Sequence, residues 1–102
     1  NHQLSFRWCM AAAEKGYADA MNDIGIRYEN GTGGVEQNLE TAFEWFMKSA
    51  VKGDKNGQSN VGTYYEDGNG TTTVDLVQAL HWYQQAAAQE HPPAQFSVGF
   101  FF

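Results

Sequence analysis

Between residues 39 and 50 the apolar positions Leu39, Ala42, Phe43, Phe46, Met47 and Ala50 follow one another at steps of three, one, three, one and three. That spacing lays them along one face of an α-helix, here termed helix B. "LETAFEWFMKSAVKGD" (39–54) returns 37 residues later as "LVQALHWYQQAAAQEH" (76–91). Asn1, Asn38 and Asp75 stand at the start of each copy, residue types whose side chains accept from the free N–H groups of a first helical turn. Gly16 and Gly53 mark the ends of the first two copies, because glycine enters the left-handed backbone that closes a helix, whereas the third copy has Glu90 followed by His91-Pro92-Pro93.

A second helical pattern, helix A, follows each turn at 18–30, 55–67 and 93–102, with apolar Ile24, Val61 and Val98 beside Gly25, Gly62 and Gly99. A glycine inside a helix costs about 1 kcal/mol relative to alanine, so its periodic return predicts close approach of a neighbouring helix. Glycine-led segments 31–38 and 68–75 then connect helix A to the next helix B.

Overlaying residues 1–65 on 38–102 without a gap gives 19 identical pairs, where unrelated sequence of this composition gives roughly four or five. A two-helix unit cannot bury its apolar face alone, whereas stacked units can. The expectation is an all-α solenoid of helix-turn-helix repeats with a 37-residue period, forming one domain over 1–102 with hairpins at about 1–30, 38–67 and 75–102. The apolar ending "FSVGFFF" and the lack of a polar capping helix suggest either part of a longer array or ends covered by a partner.

Composition narrows the functional classes. Six basic against twelve acidic residues give a net charge of −6 without a Lys/Arg cluster, which argues against nucleic acid as a partner. No apolar run reaches the roughly 18–20 residues of a membrane helix, so direct membrane insertion by this segment is not expected. Aromatic residues make up 15% of the chain and supply ample area for a core. Cys9 is the only cysteine, which excludes an intrachain disulfide and a four-cysteine zinc site.

Residues 20–53 read A-x3-I-G-x2-Y-x2-G-x-G-G-V-x2-N-x3-A-x2-W-F-x-K-S-A-x2-G. This pattern resembles the Sel-one-like repeat (SLR), a relative of the tetratricopeptide repeat, through Ala20, Ile24, Gly25, Tyr28, Gly31, Val35, Asn38, Ala42, Trp45, Phe46, Lys48, Ala50 and Gly53. The second copy keeps Val61, Gly62, Tyr65, Gly68, Gly70, Asp75, Ala79, Trp82, Tyr83, Ala86 and Ala87, but has threonines in place of the Gly-Val pair after the loop, so a rearranged loop is expected there. The resemblance implies a right-handed superhelix whose concave side is lined by the A helices, and a role as an adaptor in protein assembly. A cysteine-rich bacterial branch pairs two cysteines per repeat and has been associated with β-lactam binding; a chain with Cys9 alone departs from it.

No catalytic site, metal site or cofactor is expected. Cys9 occupies the helix B position of Phe46 and Tyr83 and reads as a small core residue. His2, His81 and His91 lack the pairing within a helical turn that metal binding needs, and neither glycine loop carries a phosphate-binding lysine. Trp8, Trp45 and Trp82, at intervals of 37, are expected to pack between repeats in equivalent environments. Asn30-Gly31-Thr32 and Asn69-Gly70-Thr71 satisfy N-x-[ST], which makes Asn30 and Asn69 candidate glycosylation sites if the chain is secreted.

If Ile24, Gly25 and Tyr28 face the core, the other side of helix A projects Asn22, Ile26 and Glu29, and by the period Ser59, Thr63 and Glu66, then Phe96 and Phe100. Such a groove suits a protein or peptide partner with an apolar anchor and a basic group. The expected function is a non-catalytic interaction scaffold; the alternative is a structural subunit of a permanent multi-subunit assembly. Phe96 and Phe100 fit either use, as a binding site or as packing for a further repeat.

Overall fold

A computed structural model describes residues 2–70 and 73–89, with side chains from Ser5 onward. It contains five α-helices: α1 (His2–Glu14), α2 (Ala18–Asn30), α3 (Leu39–Val51), α4 (Lys55–Asp67) and α5 (Leu76–Ala87). Helices α1, α3 and α5 correspond to helix B, and α2 and α4 to helix A. No strand occurs among the described residues. The expected third helix A at 93–102, with Phe96, Val98, Gly99 and Phe100, lies outside them, as do the cap at Asn1, the turn at His91-Pro92-Pro93 and the threonines Thr71 and Thr72.

Local chemistry sets the helix ends. The Asn38 side chain accepts from the Thr41 N–H and Asp75 from the Gln78 N–H, so both caps act as the sequence predicts. Asp54 caps α4 by accepting from the Gly57 N–H. After α3, Gly53 takes φ +98°, and the Gly53 and Asp54 N–H groups donate back to the Ala50 and Ser49 carbonyls.

Each helix packs mainly on its neighbours in sequence, and α2 also meets α4. The stack is elongated, 44 × 25 × 18 Å. Phe46, Val61, Tyr64, Ala42 and Ala50 are buried at its centre, with Phe46 and Tyr64 meeting edge to face at 5.5 Å. Ala13, Met21 and Ile24 form the core of the first hairpin, and Ala79, Tyr83 and Ala86 that of the last described helix.

The periodic glycines lie where helices approach. A Cβ on Gly25 would sit 2.6 Å from the Phe46 ring, and one on Gly62 would sit 2.8 Å from the Tyr83 ring. Gly57 is a third such contact that the period does not signal, because its counterparts are Ala20 and Ala94; a Cβ there would meet Ser49 and, at 2.9 Å, the Ala50 backbone nitrogen.

The tryptophans are not equivalent. Trp45 packs on the first hairpin's core and Trp82 on the central core, each covering the preceding repeat. Trp8, with no hairpin before it among the described residues, is 70% exposed. Packing between repeats is therefore the role of Trp45 and Trp82, and it leaves the same face of α1 open.

Candidate partner-binding face

The predicted row on the A helices is built on α2 and α4, which touch through side chains as well as backbone. Asn60 Nδ2 donates to Asn22 Oδ1 at 2.8 Å. Asn22 is only 8% exposed, so it links two repeats instead of standing open to a ligand. Ile26 is 37% exposed and Thr63 is exposed, while Ser59, Glu29 and Glu66 are half-buried.

The two glutamates meet tyrosines. Tyr83, on α5, donates from its hydroxyl to Glu66 Oε1 at 3.1 Å and lies 3.0 Å from Thr63 Oγ1. Burial, with the Glu66 carboxylate adding to it against the opposing Thr63 hydrogen bond, pushes the Tyr83 hydroxyl up to about 12. At Glu29 the corresponding helix B residue is Phe46, which has no hydroxyl. Tyr64 of α4 lies beside Glu29 instead, and burial followed by the Glu29 charge raises its pKa. Glu66 is thus held by a tyrosine hydroxyl, while at the matching place on α2 Glu29 lies near a buried tyrosine.

A separate polar cluster joins α1 to α2. Cys9 Sγ donates to Asp23 Oδ2 at 3.0 Å, Arg27 Nε donates to the same oxygen at 3.0 Å, and Arg27 Nη2 donates to Ser5 Oγ at 2.8 Å. Burial and then Asp23 raise the Cys9 pKa, so this thiol is not activated as a nucleophile. Desolvation opposes ionisation of Asp23, but hydrogen bonds from Cys9 and Arg27 together with the Arg27 charge hold its pKa below the usual value. Cys9 is half-buried and engaged with polar groups, which differs from the purely apolar role expected of it.

Among the described residues no group of His, Cys, Asp and Glu is arranged to hold a metal ion. His81 is exposed and packs edge to face with Trp82 at 5.4 Å. No helix among the described residues is long and apolar enough to cross a membrane. Asn30 is exposed as the last residue of α2, and Asn69 is half-buried, its backbone N–H donating to the Tyr64 carbonyl.

Stacked helical hairpins, each covering its predecessor with a tryptophan and receiving an aromatic ring against a helix A glycine, define an α-solenoid of tetratricopeptide-like repeats. The Sel1 repeat family model matches residues 1–17, 18–54 and 56–91, and the chain belongs to that family. No curated protein matches the chain. Among solved structures, a Sel1 repeat protein from Oxalobacter formigenes is 39% identical with a TM-score of 0.79, over 82% of this chain and 33% of that one. The antigen c5321, a protective antigen of uropathogenic Escherichia coli with an SLR fold, is 37% identical with a TM-score of 0.91, over 97% of this chain and 21% of that one. Helicobacter pylori cysteine rich protein B, at 24% identity, shares the fold with a TM-score of 0.86, over 92% of this chain and 69% of that one. The chain thus spans about a third or less of the first two. Sel1 repeat proteins are generally scaffolds for protein interactions, without enzymatic activity of their own.

Proposed function

We propose that this chain is a non-catalytic scaffold that receives a peptide or protein segment along its A helices, over Ile26, Glu29, Ser59, Thr63 and Glu66, with Phe96 and Phe100 continuing the row by the sequence period. The observation that carries this reading is the pair of carboxylates at matching places on α2 and α4, one of them fixed by the Tyr83 hydroxyl. Glu29 and Glu66 stand at equivalent positions on touching helices, so a ligand meets two carboxylates, that of Glu66 fixed by Tyr83, beside the apolar Ile26. A carboxylate already held in place, as Glu66 is, loses little side-chain entropy on pairing with a cation, which favours a partner with a basic group near an apolar anchor. Buried Asn22 contributes by fixing the spacing of α2 and α4.

Random peptides displayed on phage, selected on the protein and retested on a Glu29→Gln, Glu66→Gln variant, test the assignment. Basic clones with an apolar residue should weaken by about tenfold or more on the variant. If every clone binds the variant unchanged, the groove assignment is wrong.

The exposure of Trp8 favours a second reading, in which the chain is also a structural part of a larger assembly. The same position is covered in α3 and α5 by the hairpin before, so the Trp8 face is shaped for a further hairpin or another subunit to stack upon. Sedimentation that stays monomeric at high concentration, and is unchanged by Trp8→Gln, would count against association through this face.

A further inference from the structure

At the edge formed by the tight turns, α2 and α3 enclose an open apolar pocket of about 340 Å³, lined by Met21, Met47, Lys48, Val51 and Lys52. Met21 forms its buried floor, Val51 is 72% exposed at its rim, and the volume lies at the lower end of the roughly 300–1,000 Å³ of small binding pockets. The Lys48 ammonium lies over the Trp45 ring, 4.3 Å from its centroid. The Lys52 ammonium lies over the turn at Gly16, where a Cβ would come within 3.1 Å of it. Lys15 precedes that turn in sequence, so two lysines of the pocket and a third beside it belong to this end of the hairpin. Asp23–Arg27 is the only ion pair among the described residues, so these three ammonium groups are unpaired. The carboxylates near these lysines in sequence, Glu14, Glu44 and Asp54, form no ion pair with them.

The next repeat supplies an internal control. Thirty-seven residues on, the five lining positions become Gln58, Gln84, Gln85, Ala88 and Gln89. There the Gln89 amide donates to Gln58 Oε1 and to the Gly53 carbonyl, both at 2.8 Å, and Gln58 donates to the Ala50 carbonyl. The equivalent junction is thus closed by its own hydrogen bonds. Stacking of this repeat requires neither an apolar floor nor a cationic rim at these positions.

We infer that the Met21–Met47 pocket is a second docking site, distinct from the A-helix row and of opposite charge preference. It takes an acidic segment of a partner protein that inserts one large apolar side chain. Methionines adapt their shape to such an anchor, and the lysines pair with carboxylates flanking it. In a chain of net charge −6, this edge offers an acidic partner an apolar pocket flanked by lysines without ion-pair partners of their own.

The test uses phage-displayed random peptides selected on the protein and retested on two variants. One is Lys48→Glu with Lys52→Glu, both exposed. The other is Met21→Gln, Met47→Gln, Lys48→Gln, Val51→Ala and Lys52→Gln, which installs the closed arrangement of the following repeat. If the second variant loses helicity, the surface pair decides alone. Expected are clones with Asp or Glu around a single Phe, Leu or Trp that weaken by about tenfold or more on the variants and keep their affinity for Glu29→Gln, Glu66→Gln. The proposal is overturned if no clone separates parent from variants, or if the clones that do are basic. It is equally overturned if the Lys48→Glu, Lys52→Glu change abolishes binding to phosphatidylserine vesicles or self-association instead, since a membrane or a second copy would then be the occupant.

Discussion

Replacing Gly62 by leucine sets helix propensity against packing. Propensity alone favours the variant by nearly 1 kcal/mol, because glycine is the poorest non-proline residue in a helix interior. Packing opposes it. The first added carbon would stand 2.8 Å from two Tyr83 ring carbons and 3.2 Å from the Ala79 carbonyl oxygen, so about half an ångström or more must open before the rest of the side chain is placed. The ring cannot swing aside cheaply, because Tyr83 is 3% exposed and its hydroxyl is tied to Glu66 and Thr63. Overpacking of this kind costs about 1–3 kcal/mol and more where backbone must shift, so Gly62→Leu should lose about 2 kcal/mol net. Urea unfolding followed by far-ultraviolet circular dichroism reads this as a lower midpoint at an unchanged slope. The cause is tested by adding Tyr83→Ala, which removes the obstructing ring: the leucine should then cost less than in the parent, giving a favourable coupling of about 1 kcal/mol or more. A Gly62→Leu variant as stable as the parent, or a cycle without coupling, would refute the close-approach account of the periodic glycine.

Three further outcomes follow from the same geometry. Asn38→Ala and Asp75→Ala should each cost about 1 kcal/mol, because each removes the acceptor of a first-turn N–H; urea midpoints equal to the parent's would show that other groups take over the caps. Trp45→Ala should destabilise by about 2 kcal/mol or more through lost contact with the first hairpin's core, while Trp8→Ala stays within about 0.5 kcal/mol, a contrast that fails if the two unfold alike. Tyr83 holds its proton up to about 12 when folded and only to about 10 when unfolded, so its contribution is complete below pH 10 and is lost as the pH rises from 10 to 12. Discounted for solvent screening, that is about 1–2 kcal/mol, and Tyr83→Phe should flatten this part of the stability profile; parallel profiles would refute it.

The sequence makes the stacking features legible because stacking repeats them. Gly25 and Gly62, the caps Asn38 and Asp75, and the packing of Trp45 and Trp82 all follow from the 37-residue comparison, since each repeat meets its neighbour in the same way. Trp8 shows the limit of that argument: an identical residue has a different environment when its chain neighbour differs. Asn22 shows another, for helix-face arithmetic treats α2 as isolated and places Asn22 on the open side, whereas α4 lies against it and supplies Asn60. Tyr64 is reached by neither route. It stands in helix A at the place of Arg27, and only the packed structure brings it beside Glu29, where Phe46 has no hydroxyl to offer.

Positions where the copies diverge fall into two kinds, and the difference bears on function. Cys9 and Arg27 correspond to Phe46 and Tyr64, and each pair is matched within its own hairpin: the aromatic rings meet edge to face at 5.5 Å, while Cys9 and Arg27 share Asp23. One substitution answers the other, so the local interaction is replaced and nothing is left open. The pocket positions behave differently. Gln58 and Gln89 satisfy each other, whereas Met21 and Lys52 leave an apolar cavity below an unpaired ammonium group. A change of residue that leaves surface and charge unanswered inside the chain is not explained by stacking, because the next repeat stacks without it. That asymmetry separates the turn edge of α2 and α3 from the rest of the solenoid as a place adapted to a partner, and it predicts that residues 58, 84, 85, 88 and 89 can be copied onto it with the fold intact and the acidic ligand lost.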